Sequence, residues 1–220
     1  MKRTKLCHRK LPDYTPGEEL TNTVTHILGG VLGAVVLVLC LLKADSTAEL
    51  VTAAIYGSSM IALYSVSSVY HGLPCCTGKK VMQIIDHCTI YFLIAGTYTP
   101  IVVCAIAPVY PTIGWGLCAT EWAMAIVATT LTAIDLKKYN IFSMICYIGM
   151  GWGIIFFLPK AMKVLSAPGF YLLLSGGIAY TVGAVLYGIG VRKRWMHSVF
   201  HGFVVLGSLL QFLAVYLYVL

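Results

Sequence analysis

Seven apolar stretches, at residues 24–42, 50–70, 81–105, 112–134, 141–158, 169–190 and 196–220, alternate with short polar ones along the chain. A helix rising ~1.5 Å per residue crosses a hydrocarbon core of ~30 Å in stretches of this length. The third and fourth are separated by little more than Pro108-Val109-Tyr110-Pro111, where proline favours a turn over one continuous helix. The pattern therefore predicts an all-α polytopic membrane protein, a seven-transmembrane helix bundle. It forms one domain over residues 1–220, opened by a short basic tail at 1–22. The first stretch follows a polar leader containing Asp13, Glu18 and Glu19, with no obvious small-residue cleavage site. That favours a retained first helix over a cleaved signal peptide.

Composition supports lipid as the solvent. Hydrophobic residues make up 59% of the chain and charged residues 10%, against about 25% charged in a soluble domain. The net charge of +7 would suit a nucleic-acid partner, but the basic residues sit in clusters between apolar stretches. Such clusters are topology signals. With seven helices, one side receives 12 of the 15 Lys and Arg: Lys2, Arg3, Lys5, Arg9, Lys10, Lys79, Lys80, Lys137, Lys138, Arg192, Lys193 and Arg194. The other side receives Lys43, Lys160 and Lys163. The asymmetry puts the N-terminus in the cytoplasm and the C-terminus outside, and independently supports an odd helix count.

The eight cysteines are scattered and form no CxxC pair, and most lie inside apolar stretches, where cysteine acts as a small hydrophobe. A disulfide framework is not expected. Cys75 and Cys76 are the one adjacent pair, a weak candidate for a zinc-thiolate site and, with Cys7, for acylation near the membrane. Glycines crowd the fifth and sixth stretches (Gly149, Gly151, Gly153, Gly176, Gly177, Gly183, Gly188 and Gly190), where small residues let helices pack closely in lipid. No internal repeat points to an inverted-repeat transporter.

Against this apolar ground stand Ser67, His71, Asp86, His197 and His201, where polar and ionisable groups are expensive. In the predicted topology His71 ends the second helix, with Ser67 one turn deeper. Asp86 lies about one turn inside the third helix, and His197 and His201 occupy the first turns of the seventh. Positions i and i+4 share a helix face and differ by ~6 Å in height. The set thus converges at one membrane face, although His71 and His201 are 130 residues apart. Three imidazoles suit zinc and leave a fourth tetrahedral position for water, whose pKa can fall to about 7. Asp86 would hold and deprotonate that water, and Ser67 would donate to a developing oxyanion. The plainer reading is interfacial histidines hydrogen-bonded between helices or to headgroups.

Other polar positions are weighed in the same way. His87 points ~100° away from Asp86 and reads as a residue behind the site or in packing. His26, one turn after Asn22, competes as a ligand, but a hydrogen bond at the helix start is the expectation. Glu121 lies in the outer half of the fourth helix, either protonated and hydrogen-bonded or lining a polar cavity. Asp135, Lys137 and Lys138 read as ordinary interface residues, and Trp195 and Tyr218 as an aromatic belt.

Ser67-x3-His71, Asp86 at the opening of the third helix and His197-x3-His201 resemble the pattern of the hemolysin III family. That family is grouped with the progestin and adiponectin receptors and, more distantly, the alkaline ceramidases. The similarity runs from Glu18-Glu19-Leu20-Thr21-Asn22 with Thr25-His26 through to the seventh helix. Ser67-Ser68-Val69-Tyr70-His71, Asp86-His87 and Ala95-Gly96-Thr97-Tyr98-Thr99-Pro100 resemble the bacterial members most. The resemblance implies seven helices with zinc near the cytoplasmic face, held by His71, His197 and His201, with Asp86 and Ser67 beside the water. In the wider superfamily some members look like ceramide amide hydrolases and others are receptors or regulators of membrane composition.

Three functions stay open: an intramembrane zinc hydrolase of a lipid amide or ester, a non-enzymatic sensor or regulator whose zinc clamps helices, and a pore-forming cytolysin. The last rests on the family name and Glu121, because seven apolar helices make no obvious amphipathic pore. Membrane lipids are the expected partners and nucleic acid is not. The short loops suggest a bacterial plasma membrane, and membrane homeostasis is the role the first two functions share.

Overall fold

The computed structural model describes residues 4–220; Lys2 and Arg3, counted with the basic tail, lie outside them. Helix α1 spans Pro16–Lys43 and so starts eight residues before the apolar stretch that predicted it, taking in the end of the expected tail. The cause is local. Thr15 Oγ1 accepts the Glu18 N–H while the Glu18 carboxylate accepts the Thr15 N–H, a capping box with Pro16 in the first turn. Helix α2, Thr47–Gly72, opens with a second capping box between Ser46 and Glu49.

Helix α3, Thr77–Pro100, runs on through a π-wound turn, Ile101–Ile106. The widening falls beside Pro100, which has no N–H and crowds the preceding turn. Helix α4 spans Pro111–Ile134, after the expected proline turn. Helix α5, Asn140–Gly151, passes through a 3₁₀ turn, Gly153–Phe157, into α6, Leu158–Gly190; α7 is Met196–Tyr218. No strand occurs among the described residues.

Six helical stretches among the described residues are long and apolar enough to cross a membrane. The fifth and sixth apolar stretches, expected as separate helices, lie in one of these, a run of 51 residues over Asn140–Gly190. It is interrupted at the 3₁₀ turn and again at Ser166 (φ 58°, ψ 161°), two residues before Pro168. The first interruption is repaired by one side chain. The Tyr98 hydroxyl donates to the Gly151 carbonyl (3.0 Å) and accepts the Ile154 N–H (3.1 Å). Non-helical backbone is tolerated at membrane depth when its polar groups are satisfied by protein.

The most extensive packing is α1 on α2, α6 on α7 and α2 on α3, and α7 also packs on α1. Small residues allow the close approaches. A Cβ added at Gly29 would stand 2.4 Å from the Tyr64 ring, and one at Gly57 2.6 Å from Leu37 Cα. In the glycine-rich run, Gly176 packs against Gln211 and Gly183 against Phe200, but Gly149, Gly151 and Gly188 face open space. All eight cysteines are free, with Cys75 and Cys76 exposed.

Hydrogen bonds show which turns share an end of the bundle. Thr4 N–H donates to Asp135 Oδ2 (2.8 Å), Lys80 Nζ to the Cys7 carbonyl (3.1 Å) and Trp195 N–H to Glu18 Oε1 (2.5 Å). The N-terminal segment and the turns α2–α3, α4–α5 and α6–α7 therefore meet at one end, which carries the basic clusters. At the opposite end Lys43 Nζ donates to the Tyr216 carbonyl, and Lys160 lies 5.5 Å from the centroid of the Tyr110 ring.

Candidate metal centre

At the basic end, α2 carries His71 in its last turn and α7 carries His197 and His201 in its first turns, and α1, packed on both α2 and α7, holds the two helices where the three side chains meet. One ring nitrogen from each lies within 4.8 Å of the other two. His197 Nε2 stands 3.4 Å from His71 Nε2 and 3.1 Å from His201 Nε2. Imidazole nitrogens ~2.0 Å from a tetrahedral zinc are separated by about 3.3 Å, so the spacing suits such an ion. His71 and His201 are almost fully buried.

The orientation of His71 is set from α1. Glu19 Oε2 accepts a hydrogen bond from His71 Nδ1 at 2.6 Å, which leaves the Nε2 lone pair facing the other two rings. Glu19 Oε1 pairs with Lys79 Nζ at 2.7 Å. Lys79 is itself buried and also donates to the His71 and Leu73 carbonyls. Above the rings the N-terminal segment contributes Tyr14, stacked on His197 with centroids 4.9 Å apart at 23°. Burial, with the Tyr187 hydroxyl and nearby carboxylates, pushes the Tyr14 phenol well above its ordinary pKa and keeps it neutral.

Below the histidines lies a cavity of about 320 Å³, walled by α2, α3, α5, α6 and α7 with His26 from α1. His26, Ser67, Asp86, His197 and His201 line one end, and the rest of the wall is mainly apolar. Ser67 on α2 and Asp86 on α3 lie on the same part of the wall. Both residues singled out as catalytic candidates thus share the cavity with two of the candidate ligands. Asp86 is nine residues into α3 rather than one turn, because the helix begins at Thr77.

His26 departs from its expected role. Neither ring nitrogen has a protein partner, and the ring stacks flat on His201 (centroids 3.7 Å, 11°) on the cavity wall. His87 lines the same cavity, with Nδ1 donating to the Gln83 carbonyl (2.8 Å) and Nε2 3.4 Å from the Tyr187 hydroxyl. Glu121 lies away from the cavity, over Gly153 of the 3₁₀ turn; it is 3% exposed and its Oε2 has no protein partner. Asp135 is more than an interface residue. It is buried and accepts the Thr4 N–H and the Lys138 N–H, and these bonds hold its carboxyl below the ordinary range.

The sequence reading missed Glu19, Lys79 and Tyr14. A signal for Glu19 existed: Glu19, Asn22 and His26 are spaced by three and four and so share one face of α1. Tyr14 carries no such signal, because its place depends on how the chain folds back before α1. The cluster of three metal-ligating side chains found among the described residues does not include Cys75 or Cys76.

The chain resembles known proteins along nearly its whole length. The family described as "Haemolysin-III related" matches residues 14–212. "Hemolysin-3" of Bacillus cereus is 36% identical over 206 residues, covering 92% of each chain. "Hemolysin-3 homolog" of Bacillus subtilis (strain 168) is 35% identical over 208 residues, covering 93% of this chain and 96% of that protein. The human "Monocyte to macrophage differentiation factor" is 27% identical over 185 residues, covering 79% of this chain and 73% of its own length. With apolar helices throughout and this match along nearly its whole length, the chain is an integral membrane protein and belongs to the haemolysin-III-related family.

Proposed function

We propose that this chain is a seven-span protein of a bacterial plasma membrane that holds zinc through His71, His197 and His201 and hydrolyses an amide or ester bond in a membrane lipid, in the service of membrane homeostasis. The observation that carries the reading is three converging imidazoles, two of which, His197 and His201, line a mainly apolar cavity with Asp86 and Ser67 on its wall. In this reading the run Asn140–Gly190 crosses twice. It starts beside Asp135 at the basic end, reaches Lys160 beside Tyr110 at the opposite end, and returns to Trp195 beside Glu18. The basic end then faces the cytoplasm by its excess of Lys and Arg.

A bound zinc would supply a Lewis acid able to acidify water to a pKa of about 7. The chain supplies the rest. Glu19 holds His71 in the tautomer that offers Nε2, and Lys79 balances the Glu19 charge. Asp86 takes the proton from the attacking water at its carboxylate and returns it to the leaving nitrogen or oxygen as the acyl bond breaks, while the Ser67 hydroxyl turns to the oxygen on which charge develops. The apolar wall receives the lipid chain and excludes bulk water.

A second reading has its own support, because the histidines tie α2 to α7 while Glu19 ties α1 to α2 and α3. Zinc would then be a clamp in a non-enzymatic sensor. Asp86→Asn separates the two readings. The purified variant, measured by elemental analysis and by turnover of a synthetic ceramide in proteoliposomes, is expected to keep wild-type zinc and lose hydrolysis. Turnover equal to wild type would overturn the catalytic role of Asp86 and leave the clamp.

A further inference from the structure

The cavity is polar at the histidine end and mostly apolar beyond, with one exception on α7. Gln211 lies on its wall, 7% exposed, ten residues after His201. Its Nε2 donates to the Leu173 carbonyl at 3.0 Å, but its Oε1 has no protein partner. The other polar side chains on that part of the wall are satisfied. Thr97 donates to the Leu93 carbonyl, Tyr98 bridges Gly151 and Ile154, and Thr181 donates to the Gly177 carbonyl. An unpaired acceptor in a low-dielectric interior is costly. Phe170, Leu173 and Leu174 wall the cavity from α6 and offer a water molecule few side-chain partners. Gly176 makes room for this side chain, since a Cβ there would stand 2.9 Å from Gln211 Cγ.

We infer that Gln211 is a second polar subsite, which accepts a hydrogen bond from a hydroxyl carried partway along the hydrocarbon chain of the bound lipid. The inference rests on the lipid-binding part of the function proposed above. Ten residues of helix rise place Gln211 about 15 Å below His201, roughly the reach of twelve carbons of an extended chain. The occupant is therefore a long-chain lipid with a hydroxyl near its twelfth carbon, its head lying among His26, Ser67 and Asp86.

The test is displacement of a fluorescent fatty acid from detergent-purified, zinc-loaded protein by stearate and by 12-hydroxystearate. Wild type is expected to prefer the hydroxylated acid about fivefold, the worth of one net hydrogen bond. Gln211→Leu is expected to bind both acids equally. The ratio is taken within each protein, so a general loss of folding lowers both affinities without mimicking the result. Equal binding in wild type, or a preference that survives in Gln211→Leu, overturns the subsite while leaving the lipid cavity in place. Failure of either acid to displace the probe from wild type overturns the lipid cavity and the subsite with it.

Discussion

Glu19→Gln tests the site through a residue that is not itself a ligand. In the wild type Glu19 Oε2 accepts from His71 Nδ1 at 2.6 Å, and Oε1 pairs with the buried Lys79 at 2.7 Å. The amide keeps the shape and one acceptor oxygen but loses the charge and half of the accepting capacity. Either His71 or Lys79 then faces an NH₂ group that cannot accept. Changes to partners of this kind cost 10–100-fold in metal affinity, or about 1.4–2.7 kcal/mol. Zinc affinity would be read by competition with a chromophoric chelator in detergent, beside circular dichroism to confirm the helical fold. The neighbouring Glu18→Gln is the control. Glu18 caps α1 and accepts the Trp195 N–H, with no bond to a histidine, so it should lower thermal stability while leaving zinc affinity within a few-fold. An unchanged zinc affinity in Glu19→Gln, or an equal loss in both variants, would refute the claim that this carboxylate orients His71.

Two further predictions concern packing and pH. Gly29→Ala puts a Cβ 2.4 Å from the Tyr64 ring, whose hydroxyl bonds Ser208. It should cost about 1–3 kcal/mol as overpacking, whereas Gly149→Ala meets nothing within 4 Å and should stabilise α5 by roughly 0.5–1 kcal/mol; thermal melts of the pair check both. Asp135 is held below its ordinary pKa by the Thr4 and Lys138 N–H groups, so its contribution is complete above the unfolded carboxyl value of about 4 and drains away as pH falls through the lower folded value. Hydrogen exchange in the N-terminal segment, corrected for intrinsic rates, should stay flat from about pH 8 to 5, rise below about pH 4, and rise already at neutral pH in Asp135→Ala.

What the sequence disclosed and what it withheld follow from range. Apolar length is a local property, and it placed the helices of α2, α4 and α7 within a few residues of where they lie. The histidines were legible because lipid makes each such group conspicuous, and because alternating helix direction turns sequence position into depth. The start of α1 was missed because it is set by the Thr15–Glu18 capping box, which hydropathy does not register. The role of His26 was misread for another reason. Its spacing after Asn22 suggested a hydrogen bond along α1, but the ring faces α7 and stacks on His201 instead. Tertiary packing alone could reveal that, as it does for Tyr14 over His197 and for Lys79 beneath Glu19.

The break between α5 and α6 ties these parts together. An unbroken helix through Gly151–Phe157 would satisfy its own backbone and leave Tyr98 without the two bonds it now makes. Instead the 3₁₀ turn brings Ile154 and Ile155 to the cavity wall, opposite the α3 face that carries Asp86, Leu93 and Thr97. Gly153 leaves room there for the buried Glu121 carboxylate, since a Cβ would stand 2.9 Å from its Oε1. The interruption thus shapes the apolar end of the cavity while the histidines and Asp86 shape the polar end. One bundle of ordinary hydrophobic helices acquires a site with two chemically different ends, each dependent on groups that only the fold brings together.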